Sequence, residues 1–349
     1  QIGQYFLQLG TSNNAAMLYV NNSNDTSKMF KGVRITGSTF NWFVNAPVIN
    51  NVNNGGYNLV EDLEIDNNTI KNLTDTTTQA PGFYSGTGLR FYIHHNFIDS
   101  FQANATACRC VHTEPFYING GFGECAYNVQ KDSYGSLLRV YPAEYPGRAG
   151  CDTGTVEIHD NFLQYQLGYA GFEGNDLISA ALTSLGFVNT SITVNVYQNT
   201  LQGSKVYVYN SAHPRTPPYS PWNPGLYDAF IGNSKVRNNL AIDIANDSNY
   251  AAYATRAFIN TMSRAGSDTS GNRTYHYAID AGYDSTNAPA ILPTSPLRNS
   301  TFSVTPYSYK ALNGVSRTGP GTDEPGAYKY IFISPDGPKR YRGRFKITN

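Results

Sequence analysis

The stretch Phe91-Tyr92-Ile93-His94-His95-Asn96-Phe97-Ile98 decides the fold, because its pattern of apolar-x-Ile-x-x-Asn-x-Ile recurs along the chain. Apolar residues two positions apart indicate a short strand with one buried face. The asparagine indicates a turn, because its side chain bonds to nearby backbone and because it tolerates left-handed dihedral angles. A pattern that recurs in this way predicts an architecture built from structural repeats.

Other copies of the pattern occur on both sides of this stretch. The intervals between recognisable asparagines exceed one bare strand-turn unit, so we expect a loop in each repeat. The gap between Asn96 and Asn161 predicts one unrecognised repeat together with a cysteine-bearing insertion. Because such strands bury a continuous core only by stacking on their neighbours, the sequence predicts an all-β solenoid. The further copies are Val33 to Phe40, Leu63 to Ile70, Val156 to Leu163, Val194 to Leu201 and Val236 to Ala241.

On these copies, residues 30–285 resemble the right-handed parallel β-helix superfamily, whose pectate-lyase-like fold occurs in polysaccharide lyases, some glycoside hydrolases, phage tailspikes and bacterial surface proteins. A second resemblance lies in two nearby segments, Gly314-Val-Ser-Arg317 and Asp323-Glu-Pro-Gly-Ala-Tyr328. It is similar to the Gly-Asn-Pro-Arg and Asp-Ile-Gly-Ala-Tyr-Glu ending of bacterial secreted β-helix proteins, with Pro325 and Lys329 as departures. The resemblance implies an all-β, right-handed parallel β-helix solenoid and leaves its function open.

The expected organisation has three parts. Residues 1–30 form an N-terminal strand segment or first coil, and residues 31–285 form the parallel β-helix, with the cysteine-bearing insertion at about 104–152. Residues 286–349 form a C-terminal loop region and a β-hairpin extension with a basic face.

Charge and hydropathy exclude two classes of protein. The 349 residues carry 25 Lys+Arg against 25 Asp+Glu, so a strongly cationic nucleic-acid binder is excluded. No stretch approaches the roughly 18–20 apolar residues of a membrane span, so we expect no membrane span.

The cysteines and glycosylation motifs favour an extracellular location or a cell or virion surface. The four cysteines lie close together without a Cys-x-x-Cys pair, which disfavours a zinc site. Two disulfides that link Cys108 and Cys110 to Cys125 and Cys151 are the favoured interpretation, with free buried thiols as the alternative. Candidate N-glycosylation sites lie at Asn21, Asn24, Asn67, Asn72, Asn104, Asn189, Asn246, Asn272 and Asn299.

If the alternation holds, outward side chains form two columns across the repeats. One column contains Glu64, Tyr92, Glu157, Asn195 and Lys235, and the next contains Asp66, His94, His159, Tyr197 and Arg237. Aromatic faces and hydrogen-bonding groups suit a polysaccharide or glycan, while the alternative is an ordinary solvated sheet face. The predicted carbohydrate-binding strip is Glu64, Asp66, Tyr92 and Glu157.

Catalysis is the second possibility for these columns. A lyase needs a basic cluster and a proton acceptor, and the candidates are His94, His159, Tyr197, Lys235 and Arg237. A hydrolase needs two carboxylates, such as Glu64 with Asp66 or Glu157 with Asp160. We expect no cofactor, although the resemblance would allow Ca²⁺ in a lyase. No metal site is expected at His94 and His95, since adjacent strand residues point to opposite faces.

The termini predict self-association through terminal strands. Residues 1–10 read as a strand without a capping helix, and residues 338–347 alternate apolar with basic positions. A self-contained cap is the alternative for this hairpin. We therefore favour a non-catalytic extracellular structural or adhesive protein, such as a filament, fibre or matrix subunit, over a secreted polysaccharide lyase or, less favoured, a glycoside hydrolase. The basic assembly residues are Arg340, Arg342, Arg344 and Lys346.

Overall fold

A computed structural model describes slightly less than half of the chain, and its described residues are all-β. Within them every regular element is a strand, and no helix is present that is long and apolar enough to cross a membrane. The described residues are 18–19, 29–44, 49–50, 52–53, 56–57, 59–75, 83–86, 88–103, 115–119, 121–133, 137–141, 154–165, 176–181, 192–202, 205–209, 235–242, 258–260, 271–275, 277–284, 290–299, 310–317 and 323–327.

Three long sheets, each made entirely of parallel strand pairs, dominate this part of the chain. Sheet 1 contains Arg34–Thr36, Leu63–Asp66, Arg90–His94, Phe122–Ala126, Gly154–His159, Ile192–Tyr197 and Lys235–Arg237. Sheet 2 contains Thr39–Val44, Thr69–Asp75, Phe97–Ala103, Val129–Ser133, Phe162–Tyr165, Thr200–Gln202, Leu240–Ile242 and Arg273–Tyr275. Sheet 3 contains Leu18–Tyr19, Ile49–Asn50, Tyr84–Gly86, Phe116–Asn119, Leu138–Tyr141, Asp176–Ala181, Lys205–Tyr209 and Phe258–Asn260.

Shorter pairings accompany these sheets. Met29–Lys31 pairs in parallel with Leu59–Glu61. Val52–Asn53 with Gly56–Tyr57, and Tyr283–Asp284 with Ala290–Ile291, form antiparallel pairs. Asp176–Ala181 is hydrogen-bonded between two strands of sheet 3.

The chain visits sheets 1, 2 and 3 in turn and then returns to sheet 1, so each strand pairs with its counterparts one repeat earlier and later. We number the repeats 1 to 7 by their strands in sheet 1. In that sheet the register joins Ile65 to Ile93, Ile93 to Cys125, and Cys125 to Ile158. This is the register that the Asn-centred copies predict.

The core follows from that register. Ile65, Ile93, Ile158, Val196 and Val236 are fully buried and belong to one apolar cluster shared by the three sheets. Ile35, in repeat 1, is half-buried and packs against the same cluster. The alternation of apolar and polar residues thus places one side of sheet 1 inside and the other outside.

Repeat 4 is the additional repeat that the sequence predicted between Asn96 and Asn161, and it lies within the 104–152 segment that was assigned to the insertion. Residues 115–119, 121–133 and 137–141 carry strands of all three sheets, so this part of the segment is regular. The pattern did not locate the repeat, because Cys125 and Gln130 occupy positions that hold aliphatic residues in the neighbouring repeats.

Cys125 is a buried free thiol in the structure and not the disulfide partner that the sequence suggested. Its side chain packs in the core at the position of Ile93 and Ile158, where burial raises the pKa of the thiol. The amide of Asn128 approaches its sulfur at 3.5 Å. Cys108, Cys110 and Cys151 lie outside the described residues.

A continuous ladder of buried asparagine amides joins the repeats between sheets 1 and 2. In each rung the Nδ2 atom donates to the Oδ1 atom of the next asparagine at 2.9–3.0 Å and to a carbonyl one repeat earlier at 2.7–3.0 Å. From Asn96 onward, each Oδ1 also accepts the backbone N–H of the preceding asparagine, and the Oδ1 of Asn68 accepts the N–H of Ser38. The ladder contains Asn68, Asn96, Asn128, Asn161, Asn199, Asn239 and Asn272.

The ladder corrects our interpretation of the asparagine. The left-handed residue of each turn is the one before it, with φ near +50° to +75°, and the ladder asparagines themselves are not left-handed. Asparagine is needed for its amide, because only a side chain with both a donor and an acceptor can continue the chain of bonds. The left-handed residues are Gly37, Asn67, His95, Tyr127, Asp160, Gln198, Asn238 and Gly271.

C-terminal residues cover the outer face of sheet 2. Phe162, Leu240 and Ile242 point away from the central core and pack in a second apolar cluster. That cluster also contains Ala278, Ala281, Tyr283, Ile291, Leu297 and Ala327. Sheet 2 is therefore buried on both faces here, and residues 277–279 form part of a turn. The basic hairpin with Arg340, Arg342, Arg344 and Lys346 lies outside the described residues.

Candidate functional site

The outer face of sheet 1 carries the two columns that the sequence indicated, with repeat 4 now inserted. Register pairs join Glu64 to Tyr92, Tyr92 to Glu124, Glu124 to Glu157, and Glu157 to Asn195. The first column is Arg34, Glu64, Tyr92, Glu124, Glu157, Asn195 and Lys235. The second is Thr36, Asp66, His94, Ala126, His159, Tyr197 and Arg237.

This face is open at one end and buried at the other. Tyr92 is 45% exposed and the Glu124 side chain is 41% exposed. In contrast, the exposed fraction of Asn195, Tyr197 and Arg237 is below 10%. The outward-facing residues Asn195, Tyr197 and Arg237 of repeats 6 and 7 are therefore buried. The open half passes into a buried polar cluster, and buried polar groups require partners.

A ribbon of aromatic rings runs along the same face. His95 stacks on Tyr127 with ring centroids 5.1 Å apart, and His159 stacks on Tyr197 at 4.8 Å. Tyr127 meets His159 edge-on at 5.5 Å, which joins the two stacks. The ribbon His94, His95, Tyr127, His159 and Tyr197 thus crosses repeats 3 to 6.

His94 and His95 lie on the same side of the sheet, contrary to the expectation for adjacent strand residues. The left-handed φ of +57° at His95 turns its ring back, so the two Nδ1 atoms are 3.0 Å apart. Nε2 of His94 lies 3.4 Å from Glu64. Burial, followed by the charge of His94, lowers the pKa of His95.

Asp66 is committed to a structural ion pair. It is fully buried and accepts two hydrogen bonds from the Arg34 guanidinium, at 3.0 and 2.9 Å, and one from Thr36 at 2.9 Å. Burial acts to raise the pKa of Asp66, but the hydrogen bonds from Arg34, Thr36 and Asn67 outweigh it and lower the pKa. Asp66 is thus less available to a ligand than the predicted strip assumed.

His159 lies at the centre of the buried cluster, between two carboxylates. Its Nδ1 is 2.9 Å from Asp160 Oδ2, and its Nε2 is 3.2 Å from Glu124 Oε1. Burial acts to lower the pKa of His159, but these two contacts overcome it and raise the pKa to about 9. The imidazole is therefore protonated at neutral pH.

Two carboxylates in direct register respond oppositely to this environment. The hydrogen bond with His159 lowers the pKa of Glu124. Burial raises the pKa of Glu157, although the amide of Asn195 donates to its Oε1 at 2.7 Å. Paired strands are about 4.8 Å apart, so an ionised and a more readily protonated carboxyl group stand side by side.

Among the residues that the structure describes, two buried acceptors of this cluster have no hydrogen-bond partner. They are Oε2 of Glu157 and Oδ1 of Asn195, whose side chains already contact each other. An unmet buried acceptor costs about 1–3 kcal/mol, so these two atoms destabilise the cluster.

The structure brings together some predicted catalytic residues and separates others. His159, Tyr197 and Arg237 are register neighbours in repeats 5, 6 and 7, and Lys235 is half-buried in the same strand as Arg237. Ala126 stands between His94 and His159. Burial lowers the pKa of Arg237 and raises that of Tyr197. The lyase candidates thus form two groups.

Sequence reasoning missed Glu124, Tyr127 and His95. Glu124 and Tyr127 belong to repeat 4, which the pattern did not recognise, and the Asn128-x-Gln130 remnant was the available signal. His95 was discounted because strand alternation was assumed through a left-handed turn.

Four glycosylation candidates lie within the described residues. Asn67 and Asn299 are exposed, and Asn72 is half-buried with its Nδ2 donating to Asn41 at 2.6 Å. Asn272 does not fit a glycan, because its Nδ2 donates to Val236 at 2.7 Å and its Oδ1 accepts from Asn239. The remaining sequons, at Asn21, Asn24, Asn104, Asn189 and Asn246, lie outside the described residues.

A calcium site of the kind that the lyase resemblance would allow does not fit the described side chains. Among them no group of three His, Cys, Asp or Glu residues is placed to hold a metal ion. The carboxylates of Asp66, Glu124 and Asp160 are instead engaged by arginine or histidine.

Comparison with known proteins leaves the site to be judged on its own geometry. No protein-family model matches the chain, and no curated protein is significantly similar to it.

Proposed function

We propose that the chain is a right-handed parallel β-helix protein of the extracellular kind, which binds a glycan lengthwise on the outer face of sheet 1. Three long parallel sheets visited in a fixed order support the solenoid part of the proposal. The asparagine ladder supports it further, because it requires neighbouring repeats to remain in one register.

The observation that carries glycan binding is the open end of the aromatic ribbon beside half-exposed carboxylates. Sugar rings present apolar faces to aromatic side chains and hydroxyl donors to acceptors. Tyr92, His95 and Tyr127 supply the aromatic faces. The carboxylates of Glu64 and Glu124, whose side chains are 33% and 41% exposed, supply the acceptors. From repeat 2 to repeat 4 this open part of the face extends over about 10 Å, which suits a short run of sugar rings.

In this proposal the protein is a structural or adhesive subunit of a filament, fibre or matrix, and copies associate through terminal strands. A rigid stack of repeats suits a spacer that presents a long binding face. Sedimentation velocity before and after deletion of residues 335–349 tests self-association, and unchanged assembly would contradict the terminal contact.

Replacing Tyr92 with Ala should weaken glycan binding about fivefold, since one exposed stacking surface is worth on the order of 1 kcal/mol. Affinity electrophoresis in gels that contain a neutral glucan, a polyuronate or a soluble chitin oligosaccharide measures the effect and identifies the glycan class. Tyr277→Ala is the matched control, because Tyr277 is 46% exposed and precedes Ala278, which packs in the apolar cluster on sheet 2. Equal retardation of the two variants, or no retardation of the wild type by any glycan, would contradict the proposal.

Hydrolysis of the bound glycan is the second candidate function, and the Glu124 and Glu157 pair favours it over a lyase. A glycoside hydrolase uses one protonated and one ionised carboxyl group, which is the direction in which the two pKa values are displaced. We expect release of reducing ends that Glu157→Gln or Glu124→Gln lowers at least 100-fold, with Glu64→Gln as the control. Release of unsaturated ends, or equal rates in all variants, would exclude this assignment.

A further inference from the structure

The C-terminal clamp, defined as residues 310–317 and 323–327, reaches the candidate site through one buried arginine. Arg317 is 5% exposed, and its Nη2 donates to Asp160 Oδ1 at 2.8 Å across 157 residues of sequence. The same guanidinium donates to the carbonyls of Glu324 at 3.0 Å and Gly326 at 2.7 Å. One side chain therefore ties the clamp together and ties it to repeat 5.

The clamp is seated by backbone contacts as well. The N–H of Gly326 donates to the carbonyl of Asn238 at 2.8 Å, and the N–H of Ala327 donates to Thr200 Oγ1 at 2.9 Å. Gly326 has a φ of +91°, and a Cβ atom there would lie 2.6 Å from Thr200 Oγ1. Glycine is required because a side chain would meet repeat 6.

These contacts complete an unbroken chain of charged groups. Arg317 holds one oxygen of Asp160, His159 holds the other, and the far nitrogen of His159 meets Glu124. Two positive and two negative groups therefore alternate from the clamp to the open face of sheet 1. The other groups that face His159 are Glu157 of its own strand, Tyr127 at its edge and Tyr197 stacked on its ring.

We propose that Arg317 is a positioning residue for the outer face of sheet 1, because it shares Asp160 with His159 and so sets the charge balance of the His159 and Glu124 pair. Without the arginine, the three remaining groups carry one net negative charge in a buried place. Such a charge favours retention of the His159 proton. This inference does not depend on glycan binding, and its test needs no ligand.

The test is an NMR titration of the histidine side chains in the full chain, which has six histidines. Loss of one signal in His159→Gln assigns the resonance. We expect Arg317→Gln to move the His159 pKa upward by at least about half a unit, and Asp160→Asn to move it downward by more than that. Arg317→Lys keeps the charge and should restore a value close to the wild type.

Two controls separate charge from packing. Arg298→Gln removes a C-terminal arginine that donates to the Pro293 carbonyl and not to Asp160, so it should leave His159 unchanged. Arg317→Gln is also made in the Asp160→Asn background, where no carboxylate is stranded, and an upward shift is expected there as well. Arg317→Gln is compared with the wild type in one background and with Asp160→Asn in the other. The proposal would be overturned if Arg317→Gln changed the His159 pKa by less than 0.2 units in both backgrounds, or if it lowered that pKa in either.

Discussion

Replacing Ile158 with Asp is expected to abolish folding. Ile158 is fully buried at the centre of the stack, with Cys125 and Val196 as its register neighbours. An unpaired carboxylate at this position would lose its water and find no cation. The penalty is several kcal/mol, which is comparable with the total stability of about 5–15 kcal/mol of an ordinary domain.

Circular dichroism during thermal unfolding measures this effect. Thr155→Asp is the matched control, because it introduces the same charge in the same strand at an exposed position. We expect the control to unfold within a few degrees of the wild type. A cooperative transition of Ile158→Asp at the wild-type temperature would contradict the register of sheet 1.

Replacing Asn161 with Ala should give the second-largest effect, a loss of about 3 kcal/mol or more in the free energy of unfolding. The Asn161 side chain accepts from both the N–H and the Nδ2 of Asn128 and donates to the Cys125 carbonyl and the Asn199 Oδ1. Alanine leaves the backbone N–H of Asn128 and the carbonyl of Cys125 without these partners inside the protein. Each buried group that loses its partner costs about 1–3 kcal/mol.

Urea unfolding of two further variants tests the cause. Asn161→Asp keeps the shape but places an oxygen against two acceptors, so we expect it to be at least as destabilising as Ala. Asn299→Gly removes an exposed asparagine at φ +53°, a backbone conformation that glycine adopts freely, and should change stability by less than about 1 kcal/mol. Equal stability of all three variants would show that the ladder contributes little.

The candidate site was only partly predictable from the sequence. The columns of Glu64, Tyr92 and Glu157 follow from strand alternation alone, and their register agrees with it. Alternation ends at a left-handed residue, however, and for that reason His95 and Tyr127 joined the ribbon unforeseen. A local pattern also contains no information about which part of a face becomes buried, and Tyr197 and Arg237 are buried.

The sequence by itself determined the repeat, the apolar column inside it and the recurring asparagine. Each depends on residues only a few positions apart, whose spacing dictates which way the side chains point. Tertiary structure alone decided that Cys125 and Asn128 form a repeat, that Asn272 ends a ladder, and that Arg317 meets Asp160. These facts depend on contacts between residues 32 to 157 positions apart, which arise only when repeats stack and the C-terminal clamp packs against them.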